Sequence, residues 1–149
     1  MDQEKQIVQQ TLRLGMTAPD FTAVTTFGSV RFSDLKGKWV VLFSHPGDFT
    51  PVCTTEFVTF AQMAPYFAQR NVLLMGLSVD SNPSHLAWVY SIYRSTGIQI
   101  PFPVIADRDG SVARLYGMIA PEVSATQTVR NVFIIDDKQI IRAILVYPS

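Results

Sequence analysis

An alternation of short apolar runs and amphipathic segments organises the first two thirds of this 149-residue chain. The run WVVLFS at 39–44 is rich in β-branched and aromatic residues, which is typical of a buried strand, and VLLMGLSVD at 72–80 has the same character. Between them, FVTFAQMAPYFAQR at 57–70 carries its apolar residues at helical spacing. A second helix is predicted over 82–96, opening on an Asn-Pro pair as cap and first-turn residue. This order predicts two parallel strands joined by a right-handed crossover.

The last third of the chain has a different pattern. VRNVFIID at 129–136 and QIIRAILVY at 139–147 read as two strands, and the charged turn between them predicts an antiparallel hairpin. The fold class is therefore α/β, with a mixed central sheet flanked by helices, a layout that matches the thioredoxin-like architecture. The polar stretch 1–14 fits either a short helix or a loose arm.

Composition excludes several classes of function. Twelve Lys and Arg balance twelve Asp and Glu without clusters of like charge, so neither nucleic acid nor an anionic membrane is an expected partner. The longest apolar runs are far shorter than the roughly 20 residues of a membrane span, and the N-terminus lacks the features of a secretory signal. The chain has one cysteine, which favours a reducing, cytoplasmic location.

Cys53, the single cysteine, admits two interpretations. A free cysteine is commonly a small buried hydrophobe. However, the predicted helix begins at or just after Cys53, and the unpaired N–H groups and dipole of a helix start stabilise a thiolate. Pro51 suits the residues just before a helix. Thr50 is close enough for its hydroxyl to donate to the sulfur or to a substrate oxygen, or it is an ordinary cap.

A cation for the thiolate is missing from this stretch. Between residues 44 and 57 the charged side chains are Asp48 and Glu56, both negative. Of the eight arginines, Arg130 is the best candidate, because it sits beside VFII in what should be a central strand, where an unpaired guanidinium would be costly. Guanidinium can donate to two acceptors at once. The alternative for Arg130 is a strand-end residue that reaches solvent.

The two histidines raise further alternatives. A Cys–His hydrolase or acyl transferase would need His45 as base, and the sequence shows no obvious group to orient it. His85, in the second predicted helix, reads as a packed or capping residue. One cysteine and two scattered histidines lack metal-ligand spacing, so neither a metal nor another cofactor is expected.

The stretch PGDFTPVC, with Pro46, Thr50 and Cys53, resembles the Pro-x-x-x-Thr-x-x-Cys signature of the peroxiredoxins. Glu56 and Arg130 fall where that family's pattern continues. The likeness covers nearly the whole chain, through GMTAPDFTA, LKGKWVVLFSHPGDFTPVCTTE, LSVDSNPSHLAW, FPVIADRDGSVARLYGM and TVRNVFIID. It is greatest to the alkyl hydroperoxide reductase and one-cysteine type, in which a histidine before the motif proline, as at His45, is common.

The resemblance implies a role for each motif residue. Cys53 would be the peroxidatic nucleophile, which attacks a hydroperoxide and becomes a sulfenic acid. Thr50 and Arg130, with backbone N–H groups beside the cysteine, would bind the two peroxide oxygens. Pro46 would shield the sulfur from water, and Glu56 would orient the arginine.

The same resemblance implies a reaction cycle and an assembly. The expected activity is a thiol-dependent peroxidase for hydrogen peroxide and organic hydroperoxides, with an external thiol, either a thioredoxin-like protein or a small thiol, as reductant. The alternative is a non-catalytic peroxide sensor or chaperone-like scaffold. Residues 1–149 are expected to form one thioredoxin-like domain lacking the C-terminal helix and extension of relatives, and to assemble as a homodimer or larger homo-oligomer.

Overall fold

A seven-stranded mixed sheet organises the chain in a computed structural model that describes residues 11–118 and 130–147. The strands are β1 (Thr22–Thr25), β2 (Gly28–Arg31), β3 (Trp39–Ser44), β4 (Val72–Ser78), β5 (Val104–Ala106), β6 (Arg130–Ile135) and β7 (Ile141–Tyr147). The helices are α1 (Pro51–Gln69), α2 (Asn82–Thr96) and α3 (Ser111–Leu115), and Phe32–Leu35 forms a 3-10 turn. The strand order is β2-β1-β5-β4-β3-β6-β7.

The centre of the sheet agrees with the sequence prediction. β3 pairs in parallel with β4 and antiparallel with β6, and β6 and β7 form the antiparallel hairpin. The predicted bounds of β3 and of α2 are those observed. The predicted α/β class with a mixed sheet is therefore confirmed. None of the described helices has the length and hydrophobicity needed to span a bilayer.

Several short elements and one helix cap differ from the sequence prediction. The β1-β2 hairpin, β5 and α3 were not predicted, because runs of three to five residues are too short to establish a period. α2 is capped by Ser81, whose hydroxyl accepts from the backbone N–H of Ser84 at 3.2 Å, so the assignment of Asn82 as the cap was wrong. Most of the stretch 1–14, residues 1–10, lies outside the described residues.

Helix α1 begins earlier than predicted, at Pro51 rather than at or after Cys53. Thr50 is its N-cap, and Thr50 Oγ1 accepts from the backbone N–H of Cys53 at 3.3 Å. A proline at the first helical position loses no hydrogen bond, because that N–H would be unpaired in any case. The earlier start places Cys53 inside the first turn.

The two faces of β3 enter two separate apolar clusters. Val40 and Leu42 face one cluster, and Val41 and Phe43 face the other, as the two-residue period of a strand requires. The second cluster contains a group of packed aromatic side chains, together with Cys53; its rings belong to Phe43, Phe57, Trp88 and Phe102. The Cys53 side chain therefore packs among apolar groups.

Gly76 in β4 allows α1 to approach the sheet. A Cβ atom at this position would lie 3.0 Å from Cζ of Phe57, which is tighter than most Cβ contacts in proteins. Phe57 is one helical turn after Cys53, and it is 1% exposed. The close approach at Gly76 thus fixes how deep the first turn of α1 sits against the sheet.

Candidate functional site

Cys53 lies in the first turn of α1, near the unpaired N–H groups of the helix start. Its side chain is 1% exposed and belongs to the second apolar cluster. That burial agrees with the interpretation of Cys53 as a small hydrophobe, but it does not account for the polar neighbours of the sulfur. A thiolate in this position gains from the helix dipole and depends on a further cation to offset its burial.

Arg130 supplies that cation. Its Nη2 donates to Cys53 Sγ at 3.2 Å, although the two residues are 77 positions apart in the chain. Its Nη1 donates to Glu56, so one guanidinium links the sulfur and a carboxylate. Arg130 is 4% exposed, which rules out the interpretation that it reaches solvent. We call Cys53, Glu56 and Arg130 the sulfur cluster.

The sheet register explains how Arg130 reaches the sulfur. β6 runs antiparallel to β3, and Phe43 is opposite Val132. Two residues earlier in β6, Arg130 is therefore level with the point where β3 ends and the chain turns toward α1. The backbone N–H of Asn131 also donates to Ser44 Oγ at 2.9 Å, which ties the start of β6 to the end of β3.

Thr50 and Pro46 lie in the loop of residues 45–50 that joins β3 to α1. Thr50 Oγ1 accepts from Cys53 N–H, and its own hydroxyl contacts the Gly47 carbonyl at a long 3.5 Å. The structure thus places Thr50 as a cap beside the cysteine, with a weakly engaged donor. Pro46 is half-buried in the same loop.

Phe49, in the same loop, has a left-handed backbone with φ of 63°. This region costs a bulky residue roughly 1–2 kcal/mol, and such conformations persist only where the neighbouring residues hold them. The Phe49 side chain is 55% exposed, so its own packing contributes little to holding it.

A second charged group surrounds Asp48, and we call His45, Asp48, Ser84 and His85 the imidazole cluster. Asp48 Oδ1 lies 2.9 Å from His45 Nε2, and Asp48 Oδ2 lies 2.7 Å from His85 Nδ1. Ser84 Oγ donates to Asp48 Oδ2 at 2.8 Å. The three ionisable side chains are between 0 and 2% exposed.

Electrostatics within the imidazole cluster favour a charged Asp48 and a neutral His45. Burial raises the pKa of Asp48, but hydrogen bonds from His45 and His85 outweigh it and hold that pKa well below its ordinary value. Burial, opposed by Asp48 and reinforced by the charge of His85, lowers the pKa of His45.

Sequence comparisons agree with this geometry. A family model described as AhpC/TSA matches residues 14–144. Peroxiredoxin 2 from Caldanaerobacter subterraneus subsp. tengcongensis is 65% identical over 136 residues, and a peroxiredoxin from Aquifex aeolicus is 63% identical over 137 residues. The chain belongs to the AhpC/TSA family of peroxiredoxins. Each alignment covers 91% of this chain but 62% of the relative, so the chain spans less than two thirds of their length.

Solved structures show the same peroxiredoxin fold. A yeast mitochondrial 1-Cys peroxiredoxin, described with a thiol resolving mechanism via glutathione and thioredoxin systems, superimposes with a TM-score of 0.83 at 43% identity. The match covers 93% of this chain and 68% of the yeast chain. A mutant of peroxiredoxin 6 from Arenicola marina gives 0.84 at 38% identity, covering 92% of this chain and 66% of that one.

Sequence reasoning about this peroxiredoxin missed the imidazole cluster. In the sequence the two histidines look scattered and no obvious group orients His45, whereas in the structure Asp48 contacts both rings. One signal was present in the sequence: β3 and β4 are parallel neighbours, and residues that follow the carboxyl ends of such strands meet at one edge of the sheet. Asp48 follows β3, and Ser84 and His85 follow β4.

The imidazole cluster also has the residue types of a metal site. Ligand atoms of His45, Asp48 and His85 lie within 4.8 Å of one another. However, the contacts of 2.7 and 2.9 Å are hydrogen-bond lengths, whereas two ligands of a tetrahedral zinc are separated by about 3.3 Å. The geometry found in this peroxiredoxin is therefore that of a proton-sharing network.

Proposed function

We propose that this chain carries a thiol-dependent peroxidase site that reduces hydrogen peroxide and organic hydroperoxides through Cys53. The observation that carries the proposal is the 3.2 Å contact between Arg130 Nη2 and Cys53 Sγ in the first turn of α1. A helix start and a buried guanidinium together stabilise a thiolate, which is the reactive form of cysteine. Membership of the peroxiredoxin family favours this chemistry over a Cys–His hydrolase.

The reaction transfers one hydroxyl group. The Cys53 thiolate attacks the terminal oxygen of the hydroperoxide, an S–O bond forms and the O–O bond breaks. The products are a Cys53 sulfenic acid and an alkoxide or hydroxide, which takes a proton from water. Sulfur is oxidised and the peroxide is reduced, so no metal or organic cofactor is required for this step.

The surrounding residues of the site have separate tasks in this proposal. Arg130 donates to the sulfur and to the peroxide oxygens as charge moves from one to the other. Thr50 turns its weakly held hydroxyl toward the substrate, while Pro46 limits the access of water. Glu56 holds the far side of the guanidinium and thereby sets its orientation.

Residues 1–149 hold one cysteine, Cys53, so the proposed second half of the cycle uses an external thiol. The proposed reductant is a small thiol or a thioredoxin-like protein. The glutathione and thioredoxin systems named for the yeast relative support this class of partner. A cytoplasmic location and a homodimer or larger homo-oligomer are part of the same proposal.

The direct test combines mass spectrometry with turnover. Hydrogen peroxide is added in the presence of a sulfenate trap, and the intact mass is expected to rise by one trapped adduct at Cys53. Cys53→Ser is the blank, since it leaves no cysteine. Repeated peroxide consumption on addition of dithiothreitol or a thioredoxin system supports an enzyme, whereas one oxidation without turnover identifies a sensor. An accessible thiol that peroxide leaves unmodified would sink the proposal.

A further inference from the structure

His85 faces hydrogen-bond acceptors with both of its ring nitrogens. Its Nε2 lies 3.0 Å from the carbonyl oxygen of Ile105, which can only accept, so Nε2 carries a hydrogen. Its Nδ1 lies 2.9 and 2.7 Å from the two carboxylate oxygens of Asp48. An ionised carboxylate also only accepts, so Nδ1 carries the second hydrogen. The two contacts together make His85 an imidazolium paired with a buried carboxylate.

This ion pair joins three parts of the fold. Ile105 belongs to β5, His85 to α2, and Asp48 to the loop between β3 and α1. The backbone N–H of Asp48 donates to Asp80 Oδ2 at 2.6 Å, which adds a contact from the segment after β4. The polar and charged side chains around His85 are therefore His45 and Asp48 from the loop, Asp80, and Ser84 from α2 itself.

The contacts of Asp48 explain how the left-handed backbone of Phe49 is maintained. Phe49 lies between Asp48 and Thr50, and its exposed ring offers little packing of its own. On one side Asp48 is held by side chains that are fixed in α2 and after β4. On the other side Thr50 caps α1 through Cys53 N–H. Phe49 is thus held from both sides, and Thr50, which follows it directly in the chain, contacts the cysteine backbone.

We propose that His85 is a positioning residue for the reaction of Cys53. It acts through Asp48 and Phe49, and it sets the Thr50 hydroxyl against the sulfur without touching the substrate. The inference rests on the proposed peroxidase function and adds to it a residue outside the motif that contains the cysteine.

Two substitutions at His85 separate its two hydrogen bonds. In His85→Asn the amide nitrogen occupies nearly the place of Nδ1, so the donor to Asp48 is kept. In His85→Gln the amide nitrogen reaches the place of Nε2, so the donor to Ile105 is kept and the one to Asp48 is lost. The pair therefore tests which contact matters for reactivity, and each variant serves as control for the other.

The first readout is the second-order rate constant for oxidation of Cys53 by hydrogen peroxide. Trp88 reports on the site by fluorescence, since its Nε1 donates to Thr54 Oγ1 at 3.0 Å beside the cysteine. A displaced Thr50 is expected to lower the rate on the order of 10- to 100-fold in His85→Gln, and by less than about 3-fold in His85→Asn. Alkylation by iodoacetamide needs the thiolate but no peroxide oxygen, and it is expected to change by less than about 2-fold in both variants.

A purely structural role for His85 predicts a different result. Both variants would then unfold at lower denaturant concentration, while the folded proteins would react with peroxide as fast as the parent. That result, or equal losses in Asn and Gln, would overturn the proposal.

The second readout does not depend on peroxidase activity. Imidazole ¹⁵N shifts are expected to show a hydrogen on each His85 ring nitrogen, as its two acceptor contacts require, and the amide resonances of residues 48–53 are expected to shift in His85→Gln but not in His85→Asn. A neutral His85, or unchanged loop resonances in His85→Gln, would refute the positioning role. An unreactive parent protein refutes the proposed function instead, and the resonances still decide whether His85 holds the loop.

Discussion

The sulfur cluster and the imidazole cluster are both built around buried charge, yet they differ in how their partners are arranged. In the sulfur cluster one guanidinium serves two acceptors, and the carboxylate partner Glu56 is 29% exposed. In the imidazole cluster a single carboxylate receives three donors, and its ionisable side chains are shielded from water. The sulfur cluster is thus partly open to water at Glu56, whereas the ionisable side chains of the imidazole cluster are not.

The difference has a chemical reason. The sulfur changes from an anion to a neutral sulfenic acid in the proposed reaction, so Arg130 needs a second partner that retains its charge. Water around Glu56 lowers the cost of each charge state. No side chain of the imidazole cluster changes its charge during that step. Because these side chains are shielded from water, their contacts hold the loop in one position. Reactivity and rigidity are thus assigned to two neighbouring sets of side chains.

The largest expected difference between the clusters is in stability. Asp48→Asn removes the anion that His45, Ser84 and His85 share, and it should lower the free energy of unfolding by about 3 kcal/mol. The matched change Glu56→Gln, at a partly hydrated carboxylate, should cost about 1 kcal/mol or less. Urea unfolding followed by circular dichroism measures both. Equal losses of unfolding free energy in the two variants would mean that burial does not strengthen the contacts of Asp48.

The next effect is on the rate of peroxide reduction. Arg130→Gln removes the donor to Cys53 Sγ and should slow oxidation by hydrogen peroxide on the order of 10²- to 10³-fold. Arg130→Lys keeps the charge but not the fork that reaches both Sγ and Glu56, so a smaller loss is expected. Stopped-flow kinetics on the folded variants measures the rates.

The control for Arg130 lies on the next strand of the same hairpin. Arg142 is bonded to Asp136 and its side chain is 55% exposed, so Arg142→Gln should leave the rate unchanged. A comparable slowing in Arg142→Gln would show that general charge, rather than the contact with the sulfur, determines reactivity.

The smallest expected effect is the pH dependence that His45 contributes. Burial lowers the pKa of His45 in the folded protein, so the unfolded chain, with an ordinary pKa of 6.5, binds the proton first as pH falls. Stability should therefore decline below pH 6.5, by at most about 1.4 kcal/mol per pH unit from this group. The lowered pKa of Asp48 stabilises the folded protein above pH 3.8, and this stabilisation is lost as the pH falls below 3.8.

Comparison with His45→Gln isolates this contribution, because Asp48, Asp80 and His85 face the same position in both proteins. Urea unfolding at pH 7.5, 6.5 and 5.5 should give a steeper decline in the parent than in the variant. A parent profile no steeper than that of His45→Gln would contradict the neutral state assigned to His45.

Several features of the peroxiredoxin fold and of the site could be predicted from local patterns. The buried run of β3 and the amphipathic period of α2 are properties of consecutive residues, and their bounds matched. The placement of Arg130 followed from a chemical requirement: a buried thiolate needs a cation, and the stretch around Cys53 has none. The structure brings the two side chains into contact, while their catalytic roles stay predictions.

Other features depended on contacts that no local pattern records. Asp48 and His85 are 37 positions apart, and they meet because the parallel pairing of β3 with β4 brings the loops after both strands to one edge. The cap of α1 at Thr50 was similarly settled by the path of the loop. The amino-acid sequence by itself determined which residues are apolar, periodic or chemically reactive. The tertiary structure alone decided which buried polar groups satisfy one another, because that depends on strand order and register rather than on neighbours in the chain.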